Sequence, residues 1–180
     1  MKRSISTSPG ATGIDHDGLY RDVLEWMYRE AELFDDLRER EWLEAMVSPD
    51  IVYQMPIRQT VRRAAGRGFL ADAYHLNESY GSLLTRVRRT ETEFAWSEDP
   101  PSPSRHFVSN IRVCEARDTQ TDVKSSLLLF RTRGDHPQPN LLSAERHDTL
   151  IRDGRSFRLL RRTVLLDLTV LETHNLSVLF

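Results

Sequence analysis

Apolar side chains recur at three- and four-residue steps near the start of the chain, at Leu19, Tyr20, Val23, Trp26, Met27, Ala31 and Phe34. This period places them on one face of a helix, and the acidic residues between them fall largely on the opposite, wet face. We therefore predict an amphipathic helix from about Asp17, a residue suited to the N-cap position, to Asp35.

Shorter patterns predict two further helices. One carries Trp42 and Met46 and ends at Ser48-Pro49, because a proline disfavours helical geometry in the residue before it. The other begins near Asn77 and runs past Val87. The helical part of the chain is thus predicted to lie in its first half.

The remaining segments have the composition and alternation of β-strands. Segment 51–57 is rich in β-forming residues, and Pro56 predicts that this strand lies at a sheet edge or ends there. Longer strands, separated by turn residues such as Gly134 and Asp153-Gly154, are predicted at Arg105–Glu115, Asp122–Arg133, Leu141–Arg152 and Ser156–Leu171. Helices followed by a run of antiparallel strands predict an α+β domain, with the helices packed on one face of a curved sheet.

Alternation in the first of these long strands assigns its side chains to two faces. One face is predicted to carry Phe107, Ile111 and Val113, and the other His106, Asn110 and Arg112.

The N-terminal residues have a different character. Met1 to Gly13 are rich in Ser, Thr, Gly and Pro and hold no apolar run, which predicts a flexible tail over residues 1–16 and no secretory signal. Residues 17–180 are predicted to form one domain, since no repeat or linker divides them. No stretch approaches the roughly 18 apolar residues of a membrane span, so we expect a cytoplasmic protein without membrane contact.

Charge is unevenly distributed along the chain. Residues 15–50 hold 12 acidic residues and 4 arginines, whereas residues 51–180 hold 19 basic and 15 acidic residues. The basic residues are interleaved with acids and form no stripe with exposed aromatic residues, which argues against nucleic-acid binding. We expect acidic helices to lie against an arginine-rich sheet, within the chain or between chains.

The residues that could hold a metal are few and scattered. Cys114 is the only cysteine, which excludes an internal disulfide and any cysteine-rich cluster site within the chain. The histidines show no close pairing, and His147-Asp148 would point to opposite faces of a strand. We predict no metal ligand and no catalytic residue in this chain.

The alternative from another functional class is a stand-alone isomerase or dehydratase, or a small-ligand-binding protein, that uses the interior of the curved sheet. Such an enzyme needs a base with a raised pKa and an oxyanion donor in a dry pocket. Asp50, Tyr53, His106 and Asp167 qualify by residue type alone. No spacing brings them together, so the sequence favours a chain without catalysis of its own.

Three stretches carry a family resemblance that covers about Tyr20 to Phe180. They are Tyr28-Arg-Glu-Ala31 with Leu33 to Asp35, Trp42-Leu43 and Asp50-Ile-Val-Tyr53; Ala95-Trp-Ser-Glu-Asp-Pro-Pro-Ser102 with Arg105-His-Phe-Val-Ser-Asn-Ile-Arg-Val113; and Arg161-Arg-Thr-Val-Leu-Leu-Asp167 with Asn175-Leu-Ser177. In these stretches the chain resembles the β (small) subunits of bacterial aromatic-ring-hydroxylating dioxygenases, which act on biphenyl, benzene, toluene and naphthalene-like substrates.

The resemblance implies a cone-shaped sheet with helices inside its mouth, the fold of ketosteroid isomerases and nuclear transport factors. It also implies a hexamer of three large and three small subunits, in which the large subunit holds the Rieske [2Fe-2S] cluster and the mononuclear non-haem Fe(II). Electrons from NAD(P)H would reach that subunit through a reductase and a ferredoxin. The small subunit would be structural.

The end of the chain and its arginines suggest contacts between subunits. Leu176 to Phe180 are mostly apolar, so we expect them to be buried, either in the chain's own core or against another subunit. Arginine forms bidentate ion pairs and accounts for 23 of the 25 basic residues. The predicted interface residues are Arg88, Arg89, Arg105, His106, Asn110, Asn175, Leu176 and Phe180.

Overall fold

The first two helices each carry one apolar stripe, and the residues of that stripe are buried in the fold. In the computed structural model, the structure describes residues 16–91, 103–132, 138–170 and 178–180. Its elements are α1 His16–Asp35, α2 Glu39–Met46, β1 Val47–Arg58, a 3₁₀ turn Arg63–Ala65, β2 Phe69–Glu78, α3 Tyr80–Thr90, β3 Ser104–Ala116, β4 Gln120–Arg131, β5 Asn140–Asp153 and β6 Ser156–Leu166. The helix predicted from Asp17 begins one residue earlier, so Asp17 lies in its first turn and is not the N-cap.

The described residues form six strands of one sheet, in the order β2-β1-β6-β5-β4-β3. Among these described strands only the β1–β6 pair is parallel, and the other four pairs are antiparallel. The sheet curves around α1. Tyr20 on this helix donates to the carbonyl of Ile111 on β3 (3.3 Å), and Trp26 donates to that of Phe157 on β6 (2.9 Å). The predicted α+β class, with helices on one face of a curved sheet, is confirmed.

Of the two alternatives predicted for Pro56, the sheet edge is wrong, whereas the strand does end nearby, at Arg58. Strand β1 lies inside the sheet between β2 and β6. Proline is tolerated there because the register with β2 shifts on both sides of Pro56, between Met55 and Pro56 and between Pro56 and Arg58. At such a bulge the missing N–H group costs the strand no regular ladder bond.

The third helix was predicted too early, and a strand was missed. Asn77 lies in β2, where it pairs with Gln54, and the helix begins at Tyr80. Ser79 caps that helix in a reciprocal capping box with Ser82. Strand β2 escapes detection because only Leu76 among its ten residues is buried, so its apolar alternation is weak.

The two faces assigned to β3 also need correction. His106 is buried and Phe107 is 54% exposed, so these two lie on opposite faces as predicted, but Ile111 is buried and does not share the face of Phe107. A bulge between Ser109 and Arg112, with Asn110 at φ 52°, shifts the alternation so that Ile111 is buried on the same side as His106. One inserted residue is sufficient, because side chains alternate with a period of two.

Two strands end earlier than the sequence predicted: β4 ends at Arg131 and β6 ends at Leu166. Several sequence predictions concern residues that lie largely or wholly outside the described ranges. These are the predicted tail, the Ala95 to Ser102 stretch, Gly134, His136, His174, Asn175 and Leu176. In the described part of the chain, none of the helices has the length and apolarity that crossing a membrane would require.

Candidate functional site in the interior of the curved sheet

Four charged side chains meet in the interior of the fold, where they are 0 to 3% exposed. They are Glu30 on α1, Arg146 and Asp148 on β5, and Arg162 on β6. Asp148 and Arg162 are direct partners in the β5–β6 register. Arg146 lies two residues before Asp148 and therefore faces the same side of the sheet. We call these four residues the interior ion cluster.

Each charge of the interior ion cluster has more than one partner. Arg162 donates two hydrogen bonds to Asp148 (2.7 and 2.8 Å) and two to Glu30 (2.9 and 2.8 Å). Arg146 donates to Glu30 at 3.0 Å and to Ser125 at 3.1 Å. The indole of Trp42 also donates to Glu30, at 2.9 Å. The cluster thus ties both helices to the sheet.

The cluster balances two positive and two negative charges, which allows it to be buried. Burial disfavours charge on Arg162, but Asp148 and Glu30 outweigh it and hold the pKa of Arg162 well above its usual range. Burial and the positive charge of Arg162 lower the pKa of Arg146, which Glu30 only partly offsets. Among the described residues, every buried side-chain nitrogen and oxygen has a hydrogen-bond partner.

Tyr53 lies beside the cluster, opposite Arg162 in the β1–β6 register. It is fully buried, and its hydroxyl donates to the main-chain oxygen of Phe180 at 2.9 Å. Burial raises the pKa of Tyr53 to about 12, although the positive charge of Arg162 opposes the shift. The tyrosine therefore stays protonated at neutral pH.

His106 joins α1 to the end of the described chain. Its Nδ1 lies 2.7 Å from Asp35, and its Nε2 lies 3.1 Å from the main-chain oxygen of Leu179. The backbone N–H of His106 also donates to Asp35, at 2.9 Å. Both ring nitrogens thus lie within hydrogen-bond distance of oxygen atoms from other elements. The histidine connects structural elements.

The four residues that qualified by type as an isomerase site do not converge. Asp50 and Asp167 are exposed. Asp167 accepts hydrogen bonds from Ser143 at 2.6 Å and Arg58 at 3.2 Å, at the end of the sheet. Tyr53 and His106 are engaged by Phe180 and Leu179. No base and oxyanion donor therefore share an open pocket in this arrangement.

Three surface features of the described residues bear on the search for a site. A groove of about 300 Å³ lies between α1, α2 and the β5–β6 turn, and residues of the interior ion cluster do not line it. Within the described ranges, no group of three or more His, Cys, Asp or Glu side chains is placed to hold a metal ion. Cys114 is exposed, and the side chains of His147 and Asp148 point to opposite faces, as predicted.

The predicted interface residues fall into three groups. Arg88, Arg89, Arg105 and Asn110 are exposed. His106 and Phe180 are buried within the chain, where they contribute to the interior contacts described above. Asn175 and Leu176 lie outside the described residues. The structure thus leaves four of the eight at a surface that another subunit could reach.

Sequence reasoning missed Glu30 and an apolar patch on the outer face of the sheet. Glu30 was not singled out among the acidic residues of α1, although it lies four residues after Trp26 and four before Phe34, on the apolar stripe. This spacing in the sequence could have identified Glu30 as a residue that faces the core.

The outer patch consists of Phe107, Leu128 and Leu141, which are 54, 41 and 54% exposed. Phe107 was predicted to share a face with Ile111, but the bulge in β3 places the two side chains on opposite faces.

Comparisons with known proteins give one consistent result. Residues 29–173 match the family model described as "Ring hydroxylating beta subunit". The biphenyl 2,3-dioxygenase subunit beta of Rhodococcus jostii (strain RHA1) is 32% identical over 168 residues, which cover 90% of this chain and 89% of that protein. The structure of naphthalene 1,2-dioxygenase with indole bound in the active site matches with a TM-score of 0.80 and 26% identity, over 93% of this chain and 88% of that one.

A more distant structural likeness extends only to the fold. ActVI-ORFA from Streptomyces coelicolor is similar with a TM-score of 0.59 and 16% identity, over 84% of this chain and 96% of that one. The matches to dioxygenase subunits are higher in identity and agree with the three sequence stretches that carried the resemblance. The predicted resemblance is confirmed, and the chain belongs to the ring hydroxylating beta subunit family.

Proposed function

We propose that this beta subunit is the structural, non-catalytic small subunit of the terminal oxygenase component of an aromatic-ring-hydroxylating dioxygenase. Its role is to support a large subunit that cis-dihydroxylates aromatic hydrocarbons. The chain is then part of an oxidoreductase that incorporates both atoms of O₂, with NAD(P)H as the ultimate electron donor. The reaction itself takes place in another polypeptide.

The observation that carries this proposal is the closed interior of the sheet. An enzyme of this fold would need an open, dry pocket with a base and an oxyanion donor. Here that volume holds the interior ion cluster, in which Glu30, Asp148 and two arginines satisfy one another. Tyr53 and His106 are bound to the main chain of residues 179–180. These contacts support a scaffold and leave no free catalytic group among them.

The cofactors are proposed to lie in the large subunit. A Rieske [2Fe-2S] cluster needs two cysteines and two histidines, and this chain has one cysteine. The mononuclear non-haem Fe(II) of such oxygenases needs two histidines and a carboxylate on one site. We therefore assign both metal centres to the partner, which a ferredoxin and a reductase would supply with electrons in the cytoplasm.

The assembly is proposed to be a hexamer of three large and three small subunits. The exposed arginines Arg88, Arg89 and Arg105, together with Asn110, are candidates for its polar contacts. Asn175 and Leu176 stay in the proposal as predicted contacts. Exposed apolar surface such as the outer patch is typical of a protein–protein interface.

Co-expression with a large dioxygenase subunit, recognised by Cys-x-His and Cys-x-x-His motifs spaced for a Rieske cluster, tests the proposal. Size-exclusion chromatography with light scattering is expected to give a mass equal to three copies of each chain. Only the complex, supplied with ferredoxin, reductase and NAD(P)H, is expected to convert an aromatic substrate to a cis-dihydrodiol. A monomeric, unassociated small chain would contradict the assembly, and turnover of a ketosteroid by the purified small chain would contradict the non-catalytic role.

An Arg88→Glu/Arg89→Glu variant refines the test of the polar contacts. Both side chains are exposed in the last turn of α3, so the fold is expected to survive the change. Arg62→Glu/Arg63→Glu is a matched control, since it reverses two exposed neighbouring arginines in the loop between β1 and β2. Weaker co-purification of the large subunit with the first variant alone would support the predicted contact.

A further inference from the structure

Residues 178–180 occupy the interior of the sheet as a bound molecule would. Phe180 is fully buried, Leu179 is 7% exposed, and Val178 packs against the core beside them. Residues 171–177 lie outside the described part of the chain. The position of the segment therefore rests on the contacts that its own three residues make.

Polar contacts to this segment come from side chains on three different strands. Tyr53 on β1 and Arg162 on β6 both donate to the main-chain oxygen of Phe180, at 2.9 and 2.7 Å. The N–H of Phe180 donates back to the Tyr53 hydroxyl at 2.9 Å. His106 on β3 lies 3.1 Å from the oxygen of Leu179.

Two donors converge on one oxygen next to a buried aromatic ring, an arrangement suited to bind a molecule that carries both groups. Arg162 and His106 are also held by contacts that do not involve the segment. Arg162 is held by Asp148 and Glu30, while its guanidinium lies 5.9 Å from the ring of Tyr53. His106 is held by Asp35. A site preorganised in this way can accept a separate molecule with the same groups, because little further ordering is needed.

We propose that the sheet interior is a binding site for an aromatic ring joined to a carbonyl or carboxylate oxygen, and that residues 178–180 are its intramolecular occupant. Tyr53 and Arg162 bind the oxygen, and the volume that Phe180 fills accepts the ring. This site goes beyond the structural role proposed above and does not depend on it. If the small chain fails to assemble with a large subunit, variants that lack the occupant are still expected to bind an aromatic molecule at this site.

The full-length Phe180→Ala variant tests the ring position, with toluene as the probe. Removing a buried phenyl ring is expected to lower the thermal midpoint of the chain by about 10 °C. Apolar cavities of this size stay dry and bind arenes. Toluene at ten times its Kd is then expected to raise the midpoint of the variant by about 4 °C. Phe107→Ala is the control, because Phe107 is exposed on the outer face and its loss opens no cavity.

A second full-length variant, Leu179→Gly/Phe180→Gly, tests the oxygen position. N-acetyl-L-phenylalaninamide and N-acetyl-L-phenylalanine are the probes, and they separate a carbonyl from a carboxylate as the preferred acceptor. Binding is measured by titration calorimetry. Adding Tyr53→Phe removes one donor and is expected to weaken the preferred probe about tenfold, while leaving toluene binding to Phe180→Ala unchanged.

Specific outcomes would overturn the proposal. One is that toluene raises the midpoint of Phe180→Ala no more than it raises that of Phe107→Ala. Another is that neither phenylalanine derivative binds the double-glycine variant. If a variant is unfolded at room temperature, folding on addition of its probe supports the site, and persistent unfolding at saturating probe counts against it.

Discussion

Asp148 and Arg162 face each other across β5 and β6 and form two hydrogen bonds of 2.7 and 2.8 Å in a fully buried environment. The register of two antiparallel strands therefore places the central ion pair. Glu30, from the first helix, completes it by bonding to the same guanidinium. The first helix and the last strand of the fold are held together through one arginine.

Glu30→Gln is expected to destabilise the chain strongly. The change leaves Arg146 and Arg162 buried with one carboxylate between them, and breaking a buried ion pair in this way costs about 3–5 kcal/mol. Urea unfolding followed by tryptophan fluorescence measures the change. Glu32→Gln on the same helix is the control: its side chain is 67% exposed and is expected to alter stability by less than about 0.5 kcal/mol. Equal effects of the two variants would exclude a structural role for the cluster.

Stability is expected to fall in alkali because of Tyr53. Its pKa is raised from 10.0 to about 12 in the folded chain, so the contribution is fully present below pH 10 and is lost as pH rises through 12. Two pKa units correspond to about 3 kcal/mol. The measurement is the urea midpoint from neutral pH to pH 12, compared with Tyr53→Phe, which should lack this component. A tyrosinate absorbance step near pH 12 that survives in the variant would contradict the assignment.

Acid is expected to weaken a different contact, on the outer face of the sheet. Arg67 donates to Glu145 at 2.8 Å, and with His147 it lowers the pKa of that carboxyl from 4.5 to about 2. The contact therefore stabilises the fold above pH 4.5 and is lost as pH falls through 2. Because Glu145 is about one-third exposed, the loss should be less than about 1 kcal/mol. Subtracting the acid unfolding profile of Glu145→Gln isolates this contribution; identical profiles would disprove it.

Substitutions in the outer patch are expected to weaken assembly without unfolding the chain. Phe107→Ser/Leu141→Ser removes apolar side chains that are 54% exposed, so the thermal midpoint of the isolated subunit should hardly change. Association with other subunits should weaken at least about tenfold if the patch is buried on assembly. The mass of the co-expressed complex at increasing dilution reports this. Val61→Ser, at another exposed apolar side chain, is the control, and equal dissociation of both complexes would rule out a contact at the patch.

Much of the fold could be predicted from periodicity, and the failures have local causes. Helix α1 appears in the sequence because its apolar residues recur at helical spacing, and strands β4 to β6 appear because their buried positions alternate over long segments. Strand β2 does not, since most of its residues are half-exposed. Pro56 misleads because the bulge that accommodates it depends on β2, where Leu76 pairs with Met55 and Tyr74 pairs with Pro56, and the sequence of β1 does not contain that register.

The interior site was the least predictable part. Single residues such as Tyr53 and His106 were selected by type, but their partners Phe180 and Leu179 lie far away in the sequence. Asn110 tolerates a left-handed conformation better than most residues, but its presence alone does not predict a bulge that places Ile111 on the face of His106. The segregation of charge, by contrast, did predict acidic helices against an arginine-rich sheet, and Glu30 with Arg146 and Arg162 confirms it within the chain.

The parallel pairing of β1 with β6 has a consequence for the order of folding. Val52 to Gln54 pair with residues 161–163, more than a hundred positions later, and this seam alone joins the β1–β2 hairpin to the rest of the sheet. Such distant contacts carry a large loop-closure cost and slow folding. During synthesis β1 keeps an unpaired edge until β6 has left the ribosome. The nascent subunit is therefore most exposed to aggregation just before its last strand arrives.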